Sequence, residues 1–218
     1  MLSLVIPTLN AESHLAECLE RMKEADEIIV VDGGSTDATV SVAEQFRTRF
    51  LSTPRGRGEQ LRAGAKAARG DWLLFLHADT LPDPAWPAAV AAHIDRHPNK
   101  SAYFILRLAD RAWQARTIER AVAARARILG LPYGDQGLLV PRALYEEIGG
   151  YRPLPLMEDV DLVRRIGRHR LVALEAEAWT SAERWRRDGW VRRSARNLAC
   201  LGLYGLGVPP ERIARLYA

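Results

Sequence analysis

The feature that most constrains this chain is the run Glu27-Ile28-Ile29-Val30-Val31-Asp32-Gly33-Gly34. Four successive β-branched residues leave no polar position for a solvated face, so a strand here must be covered on both sides. Strands of that kind belong to parallel sheets, whose neighbours are joined by helical crossovers. The first hundred residues repeat the theme. Strand-like segments at 2–7, 27–31, 49–52 and 72–77 alternate with helical spacing at 11–22, 37–46, 58–69 and 84–97. Leu15, Cys18, Leu19 and Met22 mark the inward stripe of the first helix. This alternation predicts right-handed βαβ units and an α/β class with a mostly parallel central sheet flanked by helices.

After residue 100 the rhythm changes. Strands are expected at 103–108, 137–140 and 171–180, a helix at 113–129, and a mostly helical tail over 190–218 broken at Pro209-Pro210. A chain of 218 residues fits one domain. We read 1–218 as that domain, with 1–100 as a nucleotide-binding half and 101–218 as an acceptor-facing half.

Charge and cysteine content remove some classes. The net charge is +4, and of 31 basic residues only Lys23, Lys66 and Lys100 are lysines. No segment interleaves bases with aromatics, so a nucleic-acid partner is not expected. Cys18 and Cys200 are too isolated to suggest a disulfide framework or a zinc site. No apolar stretch approaches the roughly 20 residues of a membrane span, and Met1 leads directly into a strand-like run, so the expected location is the cytoplasm. The tail from Arg184 to Ala218 carries eight arginines against Asp188 and Glu211. With Trp185, Trp190, Leu198, Leu201, Leu203 and Leu206 interspersed, it fits two descriptions. One is a helix packed on the core; the other is peripheral contact with the anionic inner face of a membrane.

Three strand ends carry polar residues, and in open α/β sheets such carboxyl ends form the ligand crevice. The first is Pro7-Thr8-Leu9-Asn10-Ala11-Glu12. The second is Asp32-Gly33-Gly34-Ser35-Thr36-Asp37, where a carboxylate can meet a base or ribose and glycines allow close approach. A simple turn followed by a helix-capping acid describes it equally well. The third is His77-Ala78-Asp79, whose aspartate suits Mg²⁺ or Mn²⁺, ions held by one or two carboxylates and substrate phosphates. Between them Arg55-Gly56-Arg57-Gly58 opens a helix whose N-terminus favours anions.

Together these elements resemble the family-2 glycosyltransferases, and the resemblance spans nearly the whole chain. Pro7-Thr8-Leu9-Asn10 and Val31-Asp32-Gly33-Gly34-Ser35-Thr36-Asp37 match the family's first two motifs, and His77-Ala78-Asp79 stands where it has Asp-x-Asp. The resemblance implies a single-domain nucleotide-diphospho-sugar transferase fold of the GT-A kind. It also implies a nucleotide-sugar donor, uridine-linked through a base contact at Asp32, and a metal on Asp79. The donor-side set is Pro7, Thr8, Asn10, Glu12, Asp32, Gly33, Arg57, Gly64, His77 and Asp79. His77 replaces the carboxylate that usually faces the ribose, which loosens the assignment of the donor.

On the acceptor side, helical spacing puts Asp159 in line with Leu162, Val163 and Ile166, while Asp161 can reach Arg164 or Arg165. A partly desolvated carboxylate at a crevice mouth can act as a general base, although three acids at a helix N-terminus are also favoured by the dipole alone. The resemblance assigns the base to Asp159 of the Glu158-Asp159 pair, and inversion at the anomeric carbon follows. Gly134-Asp135-Gln136-Gly137, Met157-Glu158-Asp159, Ser181-Ala182-Glu183-Arg184-Trp185 and Gly207-Val208-Pro209-Pro210-Glu211-Arg212 are similar to a bacterial subgroup of the family. Glu183 stands where that subgroup has the first of two arginines. The expected acceptor-side residues are Asp135, Gln136, Glu158, Arg184 and Trp185, for an acceptor left open, lipid-linked ones included. A sugar-phosphate nucleotidyltransferase would want a glycine-rich loop after the first strand, where Pro7-Thr8-Leu9-Asn10 has none. A non-catalytic nucleotide-sugar binder would keep Asp32 and Asp79 without needing Asp159.

Overall fold

Leu4 and Ile6 of the first strand, β1 (Leu2–Thr8), belong to one apolar core and Val5 between them to another. This is the physical content of an unbroken apolar strand: each face has its own cover. The structure, a computed structural model, describes residues 1–217. After β1 come α1 (Glu12–Arg21), β2 (Glu27–Asp32), α2 (Thr39–Glu44), β3 (Arg49–Ser52), α3 (Arg57–Ala67) and β4 (Trp72–Phe75). Then follow β5 (Thr80–Pro82), α4 (Trp86–Arg96), β6 (Ser101–Leu108), α5 (Trp113–Leu129) and β7 (Leu138–Pro141). The chain ends in α6 (Arg142–Glu147), α7 (Glu158–Ile166), β8 (Leu171–Thr180), α8 (Glu183–Asp188), α9 (Trp190–Gly205) and α10 (Pro210–Tyr217).

One face of the sheet packs Leu15, Leu19 and Met22 at the end of α1 with Trp86 and Val90 of α4. The other packs Leu61 and Ala65 of α3 with Leu162, Val163 and Ile166 of α7. Gly64 belongs to this second interface. A Cβ there would lie 2.3 Å from Val5 Cγ1, so the glycine lets α3 approach the sheet. Gly64 is thus a packing residue buried in α3, and its expected donor contact is not what the structure provides.

The strand order is β3-β2-β1-β4-β7-β6-β8-β5. β1, β2, β3 and β4 run parallel, as do β6 and β8. β7 is antiparallel to both its neighbours and β5 to β8. The mostly parallel sheet expected from the sequence is therefore present, with two antiparallel strands, β7 and β5, on the far side of β4. Successive strands first step outward from β1 to β2 and β3, and the chain then returns to place β4 on the other side of β1. A crevice outside the carboxyl ends is expected where the direction reverses, between β1 and β4. Pro7 and Thr8 end one strand there, and Leu76, His77, Ala78 and Asp79 follow the other.

Three short elements were not apparent in the sequence: β5, α6 and α8. Each has only three to six residues, too few for a periodic signal to build up. β5 matters because it clips the His77–Thr80 turn onto the end of β8, with Thr80 opposite Thr180 and their hydroxyls 3.2 Å apart. Among the described residues no helix is long and apolar enough to cross a membrane.

Candidate active site

Two cavities meet at the β1–β4 switch. The first, about 320 Å³, lies over the end of β1 and the N-terminus of α3, with Thr8, Asn10, Gly56, Gln60 and Pro155 in its wall. The second, about 150 Å³, lies between the one-turn helix Gly134–Gln136 and α9. Its wall includes Tyr133, Asp135, Asp159, Trp185 and Arg193. Arg57, His77, Asp79 and Arg184 border both. A molecule in each cavity would face the other across Asp79.

The β1 side is held by hydrogen bonds that local sequence does not reveal. Gln60, buried in α3, donates from Nε2 to the carbonyls of Thr8 and Val31, both at 2.8 Å. A polar residue at an inward helical position, one turn before Gly64, was the available signal. Asn10 adopts φ 51°, a left-handed conformation that asparagine tolerates, and its Oδ1 accepts from the Thr36 amide at 2.9 Å.

Asp32 ends β2 and is only 3% exposed. Its Oδ2 accepts from the amides of Gly34 and Ser35, and its Oδ1 from the hydroxyls of Thr8 and Ser35. Burial works against the charged form, but these bonds from Ser35, Gly34 and Thr8 prevail and hold the carboxyl below its ordinary value. All four acceptor positions of a carboxylate are thereby used. A base can reach Asp32 only if a hydroxyl such as that of Ser35 turns away. Gly33 donates its amide to the Thr8 carbonyl at 2.9 Å and extends the β1–β2 ladder. Glu12 does not border the cavity: its carboxylate accepts from the Ala38 amide at 2.9 Å, while Asp37 accepts from the Glu12 amide. It joins the starts of α1 and α2, and its expected donor contact is replaced by this capping role.

Asp79 differs from Asp32. It is half-buried, borders both cavities, and takes no hydrogen bond from any described residue. His77 beside it is a neutral imidazole at pH 7. Burial, and then the charge of Arg57, push it down to about 4 against the opposing pull of Asp79 and Asp159.

The two acids that open α7 part ways. Glu158 is 1% exposed and forms an ion pair with Arg57, the first residue of α3. Its carboxylate is engaged by Arg57, and it borders neither of these two cavities. Asp159, the next residue, is half-buried and faces the second cavity. Its Oδ2 accepts from the Gly134 amide at 2.9 Å and its Oδ1 from the Val160 amide at 2.7 Å. The expectation that Asp159 shares the buried stripe of Leu162, Val163 and Ile166 needs correction. The buried acids of α7 are Glu158 and Asp161, the latter paired with Arg165 and Arg152. Asp159 stands in the first turn, where the stripe meets the wall of the second cavity and not the core.

Gly134 leaves room for the His77 ring. A Cβ there would sit 2.7 Å from His77 Nε2 and 3.5 Å from Asp159 Oδ2. Gln136 is buried, donating to the Phe104 carbonyl and accepting from the Tyr133 amide, so it holds the turn and does not contact an acceptor. Asp135 does border the second cavity, and its Oδ1 is buried without a hydrogen-bond partner. Arg184 and Trp185 border the same cavity from α8. Tyr133, next to the Gly134-Asp135-Gln136-Gly137 segment, joins them, and so do Arg193 and Asn197 of α9, which no sequence motif marks. Their spacing gave no cue, because α9 reaches the site only through tertiary packing.

The profile of the family described as Glycosyl transferase family 2 matches residues 3–148. The chain belongs to this family. It is 32% identical over 167 residues to the PGL/p-HBAD biosynthesis glycosyltransferase of Mycobacterium tuberculosis, an alignment covering 69% of this chain and 63% of the relative. The chain thus spans less than two thirds of that relative's length. Among solved structures it resembles Staphylococcus aureus TarS 1-349 in complex with UDP, with a TM-score of 0.67 and 20% identity over 84% of this chain and 61% of that one. It also resembles the mannosyltransferase PcManGT of Pyrobaculum calidifontis in complex with GDP-Man and Mn²⁺, with a TM-score of 0.70 and 21% identity. That match covers 90% of this chain and 61% of the other. At these identities the likeness establishes the fold.

Asp135 supplies a test of the site's electrostatics. Burial, opposed by Arg125 and reinforced by Asp159, raises its carboxyl to about 6. The folded protein then holds this proton more tightly than the unfolded chain, so the group withdraws stability as pH rises from about 4 to about 6. Asp135→Asn removes that penalty. Urea unfolding is expected to show the variant matching the parent at pH 4 and exceeding it at pH 7. An equal difference at both pH values would refute the assignment.

Proposed function

We propose that this chain transfers a sugar from a nucleoside-diphosphate donor, uridine-linked in the first instance, to an acceptor hydroxyl. The observation that carries this reading is the pair of cavities meeting at Asp79, with a carboxylate, Asp159, on the acceptor side. Membership of glycosyltransferase family 2 supports it, as do structural neighbours in complex with UDP and with GDP-Man and Mn²⁺.

The nucleotide occupies the larger cavity, its diphosphate at the N-terminus of α3, where free amides and the helix dipole favour anions. Arg57 adds a fixed positive charge beside it. Among the described residues no cluster of three or more His, Cys, Asp or Glu could hold a metal ion alone. Asp79, a lone carboxylate at the meeting of the cavities, would hold Mg²⁺ or Mn²⁺ together with substrate phosphates, the way these ions bind phosphorylated substrates. Bound there, such an ion neutralises charge on the departing diphosphate. Asp159 accepts the proton of the acceptor hydroxyl as its oxygen bonds to the anomeric carbon. The bond from that carbon to the diphosphate oxygen breaks, and its electron pair leaves with the nucleotide. A single carboxylate base on the acceptor side implies inversion. His77, neutral at pH 7, lies between donor and acceptor without adding charge.

Calorimetry of the whole chain with UDP tests the donor half. Affinity is expected to rise with Mn²⁺, to fall with EDTA, and to lose its metal dependence in Asp79→Ala. Equal affinity with and without EDTA would contradict the metal assignment.

We also propose that the tail touches an anionic membrane. Val191 and Leu198 of α9 and Leu206 just after it are 82%, 65% and 83% exposed, and with Ala195 and Gly202 they form one outward stripe at helical spacing. Exposed Arg192, Arg212 and Arg215 supply charge complementary to acidic lipid, worth roughly 1 kcal/mol per base near the surface. The protein is expected to float with phosphatidylserine vesicles at low salt and to be released at high salt. Recovery in the soluble fraction under both conditions would refute the contact.

A further inference from the structure

The inward face of α9 belongs to the site. Arg193, Asn197 and Cys200, spaced three and four residues apart, all border the smaller cavity. Arg193 is 9% exposed, and its guanidinium lies over the Trp185 ring, 5.5 Å from the centroid. One terminal nitrogen pairs with Asp188 at 2.7 Å, while Nε is buried with no hydrogen-bond partner. Asp135, in the wall of the same cavity, also has a buried oxygen without a partner. Buried polar atoms are rarely left unsatisfied, and here an unmet donor and an unmet acceptor border one small space.

We propose that this cavity receives a small soluble hydroxy compound bearing an oxyanion, carboxylate or phosphate. The Arg193 guanidinium, with Asn197 and the Trp185 ring beside it, binds the anion. Asp135 takes a hydrogen bond from the compound, and the reacting hydroxyl points to Asp159. This inference rests on the transferase reading of the site and names the class of its acceptor.

Two observations favour a small soluble acceptor over a lipid phosphate. The cavity, about 150 Å³, is below the roughly 300–1,000 Å³ that drug-sized ligands occupy. Moreover Arg193 and Cys200 lie on the side of α9 opposite Val191 and Leu198. A bilayer on the outward stripe would be separated from the cavity by a helix about 10 Å thick.

The test is calorimetry of the whole chain, loaded with UDP and Mn²⁺, against 3-phosphoglycerate, glycerate and glycerol. Both anions are expected to bind more tightly than glycerol. Arg193→Gln is expected to weaken the anions about ten- to a hundredfold, the range for losing a charged hydrogen bond, and to leave UDP affinity unchanged. Asp188→Asn breaks the same ion pair but keeps the guanidinium, so it should retain anion binding. Equal losses in the two variants would make Arg193 a structural residue and overturn the proposal. So would indifference to charge among the three probes, or tighter binding of a short-chain polyprenyl phosphate. If Arg193→Gln does not fold, Asn197→Ala carries the same expectation of weakened anion binding. Nucleotide binding without anion binding would sink this inference alone. Anion binding without nucleotide binding would instead sink the transferase reading.

Discussion

Arg57 and Glu158 are 101 residues apart in sequence, yet each is the first residue of its helix and they meet as an ion pair. Glu158 is almost wholly buried, so removing its partner would leave a charge without water or counter-ion, at a cost of about 3–5 kcal/mol for a fully buried pair. Arg57 retains some exposure, which reduces that figure. The consequence is geometric. The helix that opens toward the larger cavity and the helix that carries Asp159 are joined at their N-termini. With Glu158 fixed against Arg57, the next residue is turned by about 100° into the smaller cavity.

The surrounding backbone is shaped to allow this arrangement. Met157 holds a left-handed φ, a conformation that costs a non-glycine residue about 1–2 kcal/mol. Strain of this kind collects at functional sites. Gly134 comes close to His77 and gives its amide to Asp159, so a carboxylate, an imidazole and a bare backbone segment share one small volume. The short strand β5 fixes the far end of the His77–Thr80 turn to β8. Asp79 is thus presented from a braced turn, while its own carboxylate takes no hydrogen bond from any described residue.

The parts of this arrangement legible in the sequence were those encoded locally. The apolar runs ending at Thr8, Asp32 and Phe75 marked the strands whose carboxyl ends form the crevice, and the spacing of Leu15, Cys18, Leu19 and Met22 marked the helix that covers one face. Residues whose partners are remote were misread. Glu158 looked like a ligand beside Asp159 because nothing nearby in sequence reveals Arg57. Gln136, Glu12 and Gly64 sit within or beside the motifs, but they serve the turn, the paired helix starts and the helix–sheet contact. Arg193 and Asn197 were passed over because only the packing of the tail against the Ala182, Leu108 and Ala115 cluster brings α9 to the site.

The central claim is that Asp159 receives the proton and Glu158 positions its neighbours. The most direct measurement is turnover of Asp159→Asn beside Glu158→Gln, with one donor and one acceptor and with UDP binding checked in both. Asp159→Asn is nearly isosteric, so the account predicts intact nucleotide binding and a rate about 10²–10⁴ lower, the range for a lost general base. Glu158→Gln is predicted to change KM more than kcat. An Asp159→Asn enzyme that keeps more than about a tenth of the parental rate, below the smallest loss expected for such a base, would contradict the account.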